Sequence, residues 1–357
     1  MALIQLPGLI DPHVHLREPG DTHKEDWGSG TSAALAGGYT SVLAMPNTSP
    51  PVTDHETLAT SLSAASNKAR CDYGVYLGAS VHNTTTASHM ASQVAGLKIY
   101  LDQTFGPLRL DSLQGLQTHI AAWPRNRPLL CHAEGHNMAA ALMVALLQDR
   151  HIHICHVSRK AEISLIRAAR ERGCLVTCEV TPHHLFLTEK DAAYLGLGRC
   201  HVRPSLNTQS DHAVLWQALN EGVIDCIATD HAPHTLAEKD GENPPPGFPG
   251  LETALSLMLG AVRDGKVTHE RLIALMHTNP LRIFGIQPPM ETTVDVDLDE
   301  KWEVTGKKLH TGCGWSPFEG WQMQGRVKKV TIRAQSAYEN GKILAAPGLG
   351  KHIIYTQ

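Results

Sequence analysis

Short apolar runs alternate with longer helix-like segments through most of this chain of 357 residues. Eight runs have a strand-like composition, at residues 8–16, 40–45, 72–79, 95–101, 128–133, 151–157, 175–180 and 224–229. Helix-like patterns lie between them, at residues 24–36, 55–68, 112–121, 137–147, 160–171 and 211–219. Alternating strands and helices indicate a parallel sheet, and eight strands in this length favour a (β/α)8 TIM barrel over an open sheet.

The pattern changes after Asn279 and Pro280. Helix-like segments at residues 251–261 and 269–276 complete the barrel region, and shorter strand-like pieces follow at residues 293–298, 325–333 and 336–344. The last two pieces are expected to form a hairpin. We therefore predict an α/β fold with a catalytic barrel over residues 8–290. The chain ends, residues 1–7 plus 291–357, are predicted to form a small β appendage.

Polar or ligating residues stand at the C-terminal ends of nearly all the predicted barrel strands. One such residue means little, because a lone histidine or cysteine is more often a core or surface residue. TIM barrels carry their active sites at this end of the strands, so the set as a whole predicts a site. Its members are His13, His15, Asn47, Lys98, His132, Cys155, His156, Glu179 and Asp230.

The first strand brings two metal-ligand candidates and an anion-binding candidate together. His13 and His15 are two residues apart, so in a strand their side chains leave the same face and can reach one metal ion. Arg17 continues toward the same mouth with a planar guanidinium that suits a carboxylate. This combination predicts a hydrolytic metal site that acts on an acidic substrate.

Lys98 lies inside a predicted buried strand, where a lysine is costly unless it is neutralised or paired. A neutral amine can add CO₂ to give a carbamate, an anionic ligand able to bridge two metal ions. The alternative is an amine that reaches the barrel rim, and only the neighbouring histidines favour the carbamate. Imidazoles and carboxylates suit a divalent metal, most often Zn²⁺. The set that could hold two ions is His13, His15, His132, His156 and Asp230.

Asp230 begins a run that also contains His234. A carboxylate beside a metal-activated water can act as general base and then as general acid. His234, four residues further on, could donate a hydrogen bond to a substrate carboxylate. The proline-rich segment 244–250 is either a connector or a loop whose backbone contacts the substrate.

Composition sets limits on partners and compartment. The net charge is −4, so no basic field favours nucleic acid or an anionic membrane as a partner. Eight cysteines lie partly in strand-like runs and do not suggest a disulfide framework, which favours a reducing cytoplasm. No signal segment or membrane-spanning run is evident. The start at Met1 and Ala2, close to the site strand, favours a domain excised from a longer polypeptide over a short natural N-terminus.

Together these residues resemble the amidohydrolase superfamily, and specifically the dihydroorotases. The stretches at residues 11–20, 44–47, 229–234 and 244–250 carry the resemblance, with Lys98, His132 and His156. The similarity runs from about residue 6 to near the C-terminus. It is greatest to the dihydroorotase domain of the animal multifunctional pyrimidine-biosynthesis polypeptide.

The resemblance implies a cyclic amidohydrolase that reversibly cyclises N-carbamoyl-L-aspartate to L-dihydroorotate. It implies two zinc ions bridged by N6-carboxylated Lys98, one also bound by His13, His15 and Asp230, the other by His132 and His156. A third zinc is implied near Cys155, His156 and Glu179. Substrate contacts are implied for Arg17, Asn47, Arg203, His234 and the backbone near Pro246, beneath a lid that carries Thr104 and Phe105.

Two rival functions remain open at this stage. One is a related cyclic-amide hydrolase, such as a dihydropyrimidinase, hydantoinase or allantoinase, for which the carboxylate-binding cluster would have no use. The other is an inactive dihydroorotase-like scaffold domain, although such relatives usually lack metal ligands. The resemblance also leads us to expect a homodimer, and fusion to carbamoyl phosphate synthetase and aspartate transcarbamoylase.

Overall fold

The computed structural model describes residues 3–353 and residue 355. Its centre is a closed ring of parallel strands. Two parallel sheets have the orders β2-β3-β4 and β10-β9-β8-β7-β6-β5, and a parallel bridge from Val14 to His231 joins their edges. The strands are β1 (Leu3–Pro7), β2 (Leu9–Val14), β3 (Tyr39–Ala44), β4 (Asp72–Val75), β5 (Leu77–Gly78), β6 (Leu97–Tyr100), β7 (Leu129–His132), β8 (Ile152–Ile154), β9 (Val176–Val180), β10 (Cys226–Ile227), β11 (Thr293–Glu303), β12 (Gln322–Ile332), β13 (Gln335–Glu339) and β14 (Lys342–Ile343).

Helices follow the barrel strands and cover the outside of the ring, which confirms the predicted (β/α)8 fold. Side-chain caps fix several of their first turns: Asp26, Asp54 and Thr208 each accept the backbone N–H three residues on. The helices are α1 (Trp27–Ala36), α2 (His55–Lys68), α3 (Thr84–His89), α4 (Leu113–Ala122), α5 (Gly135–Leu147), α6 (Lys160–Glu171), α7 (Pro182–Phe186), α8 (Ala192–Leu195), α9 (Gln209–Asn220), α10 (Leu236–Lys239), α11 (Leu251–Arg263), α12 (His269–Ile273) and α13 (Asn279–Phe284).

A separate antiparallel sheet combines both ends of the chain, in the order β1-β11-β12-β13-β14. The first strand pairs Leu3 with Asp297 and Pro7 with Thr293, so residues almost 300 positions apart lie side by side. We propose the predicted division into a barrel at residues 8–290 and an appendage at residues 1–7 plus 291–357. Residues 1, 2, 354, 356 and 357 of that appendage lie outside the described part of the chain.

Several predicted element boundaries differ from the structure. The strand expected at residues 224–229 is only β10, because the N–H of Thr229 bonds the carboxylate of Asp11 instead of a ladder carbonyl. Helix α1 begins at Trp27 rather than at residue 24, since Asp26 caps it. The helix expected at residues 269–276 is α12 followed by a π-turn, Ala274–Thr278.

The eight cysteines are all free thiols, seven of them buried, in agreement with the expectation that they form no disulfide framework. Burial raises the pKa of the Cys131 thiol to about 12 and that of Cys313 to about 11, so both pack as small neutral side chains. Among the described residues, no helix combines the length and apolar character that crossing a membrane requires.

Helix α1 ends in close contact with the start of α11, and Gly37 makes that contact possible. A Cβ at this position would lie 2.1 Å from the carbonyl oxygen of Leu251. We expect Gly37→Ala to lower the free energy of unfolding by about 2–3 kcal/mol, because the backbone at one of the two helix ends must move to make room for the methyl group. Urea titration would measure the change. The control is Gly260→Ala within α11, where the nearest atom is 3.7 Å away on a flexible arginine. That change should stabilise by about 0.5–1 kcal/mol, and equal effects of the two variants would contradict the prediction.

Candidate metal centre and active site

The barrel brings all eight predicted metal ligands to one end of the ring, where they are buried. All strands of the ring run in the same direction, so their C-terminal ends lie at one end of the barrel. Side chains at those ends therefore lie close together around the barrel axis. The residues are His13 on β2 and His15 just after it, Lys98 on β6, His132 at the end of β7, Cys155 and His156 after β8, Glu179 on β9, and Asp230 after β10.

The first cluster combines two imidazoles with one carboxylate oxygen. Oδ1 of Asp230 lies 3.2 Å from Nε2 of His13 and 3.0 Å from Nε2 of His15. Burial lowers the pKa of His15 to about 4, which leaves its imidazole neutral at neutral pH. A neutral imidazole and a carboxylate converging on one point are a donor set that suits a divalent cation.

The second cluster contains ring nitrogens that make no hydrogen bond to any described residue. Nδ1 of His132 lies 2.9 Å from Nε2 of His156. Within the described part of the chain, Nε2 of His132 and Nδ1 of His156 are buried without a hydrogen bond, and the nearest carboxylate oxygen to the former, on Glu134, is 3.7 Å away. Burial and the nearby Lys98 lower the pKa of His132 to about 3. Unpartnered buried polar atoms are rare in folded proteins, so these neutral donors fit a bound metal ion. The amine of Lys98, fully buried, lies 2.9 Å from Sγ of Cys155.

A third group adjoins the first through the other nitrogen of His13. Its Nδ1 lies 2.5 Å from Oε1 of Glu179, and the ligand atoms of His13, Cys155 and Glu179 all fall within 4.8 Å of one another. Burial alone would raise the pKa of Glu179, but the imidazoles of His13 and His153 outweigh it and lower the pKa. Cys155 and Glu179, two of the three residues that the resemblance implies for a third zinc, therefore lie together, and His13 lies with them.

Three of the candidate site residues have strained backbone. Arg17, His156 and Asp230 all have left-handed backbone with φ values of 61°, 37° and 46°. Non-glycine residues adopt this region at a cost of the order of 1–3 kcal/mol, and they cluster at functional sites. The strain aims these side chains away from the strand direction and into the barrel mouth.

An anion-binding cluster lies beside the metal ligands. Nη2 of Arg17 lies 3.1 Å from Nε2 of His234, and its Nε donates to the carbonyl of Pro233 at 3.1 Å. Burial lowers the pKa of Arg17 to about 10, so the guanidinium remains charged at neutral pH. Burial and the same guanidinium lower the pKa of His234, which keeps that imidazole neutral. His234 also contacts the carbonyl of Pro246, at 3.1 Å.

The predicted lid lies over this cluster. The ring of Phe105 lies 5.1 Å from the guanidinium carbon of Arg17 and 5.0 Å from the ring of His234. Asn47 connects the lid to the metal ligands, since its amide donates to the carbonyl of Phe105 and its oxygen contacts Nδ1 of His15 at 2.7 Å. A small cavity lies between these groups, lined by His15, Arg17, Asn47 and Phe105, and its walls also include Thr104, Arg203, Asp230 and Pro246.

Three supporting residues were not predicted from the sequence. The buried carboxylate of Asp11 accepts hydrogen bonds from the backbone of His13 and from both the backbone and hydroxyl of Thr229, which ties the two metal-bearing segments together. Glu25 contacts His231 Nε2 at 3.2 Å. Trp315, from the far end of the chain, donates to the carbonyl of His234 at 2.7 Å. Asp11 interrupts an apolar run and could have been noticed, but the other two carry no local signal.

The amidohydrolase family matches residues 4–290. The chain belongs to the amidohydrolase family. A dihydroorotase of Pyrococcus furiosus is 34% identical over 96% of this chain and 83% of its own length, which places the chain among the family's dihydroorotases. The predicted resemblance is therefore confirmed.

Two further relatives of this amidohydrolase are parts of larger proteins. The multifunctional protein pyr1-3 of Dictyostelium discoideum is 51% identical over 98% of this chain, which spans only 16% of that relative's length. A solved structure, the inactive dihydroorotase-like domain of a CAD-like multifunctional protein of Chaetomium thermophilum, is 28% identical. It has a TM-score of 0.84 and covers 99% of both chains.

Proposed function

We propose that this chain is a dihydroorotase, which reversibly cyclises N-carbamoyl-L-aspartate to L-dihydroorotate in pyrimidine biosynthesis. The observation that carries the proposal is the buried Arg17–His234 pair beside the metal-ligand clusters. A charged guanidinium and an imidazole at the mouth of a hydrolytic site are suited to a substrate that bears a carboxylate. Membership of the dihydroorotases supports the same activity.

We further propose which residues hold metal. Zinc is the ion that the imidazole, carboxylate and thiol donors suit, with two ions at the main site and a third near Cys155, His156 and Glu179. Carboxylation of Lys98 would give the two-ion site its bridging ligand, and His13, His15, His132, His156 and Asp230 would complete it. When bound, the ions would polarise the reacting carbonyl and activate a water molecule.

The remaining residues are proposed to bind and orient the ring. Arg17, Asn47 and His234 would hold the substrate carboxylate, and Arg203 with the backbone of Pro246, which also line the cavity, would contact the ring. Held in this way, the scissile amide faces Asp230. Phe105 and Thr104 would cover the bound ring and exclude water, which strengthens the electrostatic contacts beneath them.

Asp230 is the proposed proton carrier. Its Oδ1 already faces two imidazoles, whereas no other described residue hydrogen-bonds to Oδ2. In the hydrolytic direction Oδ2 would take a proton from water and deliver it to the departing ring nitrogen. In the cyclisation direction the same oxygen would take the proton from the ureido nitrogen as that nitrogen attacks the carboxyl group, and would pass it to the carboxyl oxygen that leaves as water when its C–O bond breaks.

Substrate comparison and metal analysis separate this proposal from its rivals. Purified protein should hydrolyse dihydroorotate and show little activity on dihydrouracil or hydantoin, which carry no carboxylate for Arg17. The reverse preference would favour a dihydropyrimidinase or hydantoinase. Elemental analysis that finds no bound zinc, together with no activity on any of these rings, would favour the inactive scaffold.

Replacing Arg17 tests the anion-binding cluster. We expect Arg17→Gln to raise KM for dihydroorotate by about 100-fold, because a buried charge-assisted contact is lost, with a smaller effect on kcat. Steady-state kinetics would measure both, and zinc content should be unchanged. Arg199→Gln, at an exposed ion pair with Asp240, is the matched control. An unchanged KM in the Arg17 variant would contradict the assignment.

The wider context is also proposed rather than observed. The chain matches part of long multifunctional relatives, which supports fusion to carbamoyl phosphate synthetase and aspartate transcarbamoylase in the full protein. We propose a homodimer and a cytoplasmic location, with no nucleic acid or membrane as a partner. Size-exclusion chromatography with light scattering tests the dimer.

A further inference from the structure

Lys239 ends helix α10, and its side chain is fully buried. In the described part of the chain, no carboxylate pairs with it. Its ammonium instead donates three hydrogen bonds to backbone carbonyls, those of His201 at 2.7 Å, Pro245 at 2.9 Å and Gly247 at 3.2 Å. An ammonium has three N–H donors, so its hydrogen-bonding capacity is used completely.

A buried cation without a counter-ion is costly, and only part of that cost is offset here. Nζ lies 5.6 Å from the ring centre of Phe248 and 5.7 Å from that of Trp315, within the range of cation–π attraction. Burial nevertheless lowers the pKa of Lys239 to about 8. A neutral side chain of similar volume would fill the space at a smaller free-energy cost of burial. Packing alone therefore does not explain a lysine at this position.

The three carbonyls belong to the two segments that form the ring-contacting wall of the proposed site. Arg203 lies two residues after His201, and Pro246 lies between Pro245 and Gly247. The N–H of Gly247 also donates to the carbonyl of His201 at 3.0 Å, so the segments meet at the lysine. The carbonyl of Pro246 faces the opposite way and contacts His234.

We propose that Lys239 is a positioning residue that ties the Arg203 and Pro246 segments together, and so sets the wall against which the substrate ring binds. The proposal rests on the proposed function. The Lys239 ammonium bonds the carbonyls on either side of the Pro246 carbonyl that contacts His234, so its positive charge lies near that imidazole. Removing the ammonium takes away three hydrogen bonds at this junction and leaves the segments joined by the Gly247–His201 bond and by the contact of His201 Nδ1 with the carbonyl of Pro244. The wall should then be held less firmly, while every metal ligand keeps its surroundings.

Lys239→Met tests this role, because methionine has a similar length but no N–H donors. We expect KM for dihydroorotate to rise by at least about tenfold, with kcat within about threefold of wild type and zinc content unchanged. Lys190→Met, at an exposed lysine, is the control and should leave both constants at their wild-type values. An unchanged KM, or equal losses of kcat and zinc at constant KM, would overturn the proposal.

A second variant covers the case in which the Met protein fails to fold because three backbone carbonyls have lost their hydrogen-bond donor. Lys239→Gln keeps two N–H donors, and we expect its KM to lie between those of the wild-type and Met proteins. Without substrate, amide hydrogen exchange at residues 201–203 and 245–247 should be faster in this variant than in Lys190→Met. Unchanged exchange and an unchanged KM would overturn the positioning role. A wild-type protein inactive on dihydroorotate would overturn the proposed function instead. The exchange measurement would still decide whether Lys239 holds the two segments together.

Discussion

Replacing Asp230 by asparagine is expected to lower kcat for dihydroorotate by about 10³-fold or more, since general acid–base groups contribute effects of this size. Asparagine has the shape of aspartate, and its Oδ1 can still face His13 and His15. Its amide nitrogen, however, cannot accept a proton from water or return one to the ring nitrogen. Steady-state rates in both directions, with zinc measured on the same sample, would test the prediction.

Asp240→Asn is the matched control, because Asp240 lies in an exposed ion pair only ten residues away. We expect this control to have wild-type kinetics. If Asp230→Asn keeps its zinc and cyclises carbamoyl aspartate at the wild-type rate, Asp230 is not the proton carrier. If zinc is lost together with activity, the kinetic effect reports on metal binding, and Asp230→Glu then separates ligation from proton transfer.

Local sequence patterns were enough to predict the barrel and to locate the site at its strand ends. The two-residue spacing of His13 and His15 predicts that both point to the same side where the first barrel strand ends. A polar residue after each apolar run can be recognised without knowledge of distant contacts. Strand and helix boundaries were less accurate where a side chain replaces a backbone partner, as Asp11 does at Thr229. The segment between β11 and β12 gave no usable pattern, although it supplies Trp315 to the site.

The contacts that shape the site connect residues far apart in sequence, and this is why the sequence could not predict them. Arg17 and His234 are separated by 217 positions, yet their side chains are 3.1 Å apart. The left-handed backbone that aims Arg17 has no signature in residue type, because arginine is not one of the residues that favour this region. Lys239 looks like an ordinary basic residue at a helix end, and only the three-dimensional structure reveals its burial.

Lys98→Met is expected to lower activity by about 10³-fold or more and to remove bound zinc, because the two-ion site would lose its only bridging ligand. The lysine side chain is fully buried among His132, His156 and Cys155, and methionine would fill its volume without supplying any oxygen donor. Elemental analysis and steady-state kinetics would measure both losses.

Incubation with ¹³CO₂ tests the carbamate itself, apart from the effect on activity. Wild-type protein should give a carbamate carbon signal by NMR that Lys98→Met lacks, whereas Lys190→Met, at an exposed lysine, should keep both the signal and the zinc. A Lys98→Met protein that retains two zinc ions per chain would show that the histidines and Asp230 hold the metals unaided. The cost of burying the lysine would then have to be offset by its contacts with the Cys155 thiol, which is only a weak acceptor, and with the ring of Tyr100, 5.1 Å from Nζ.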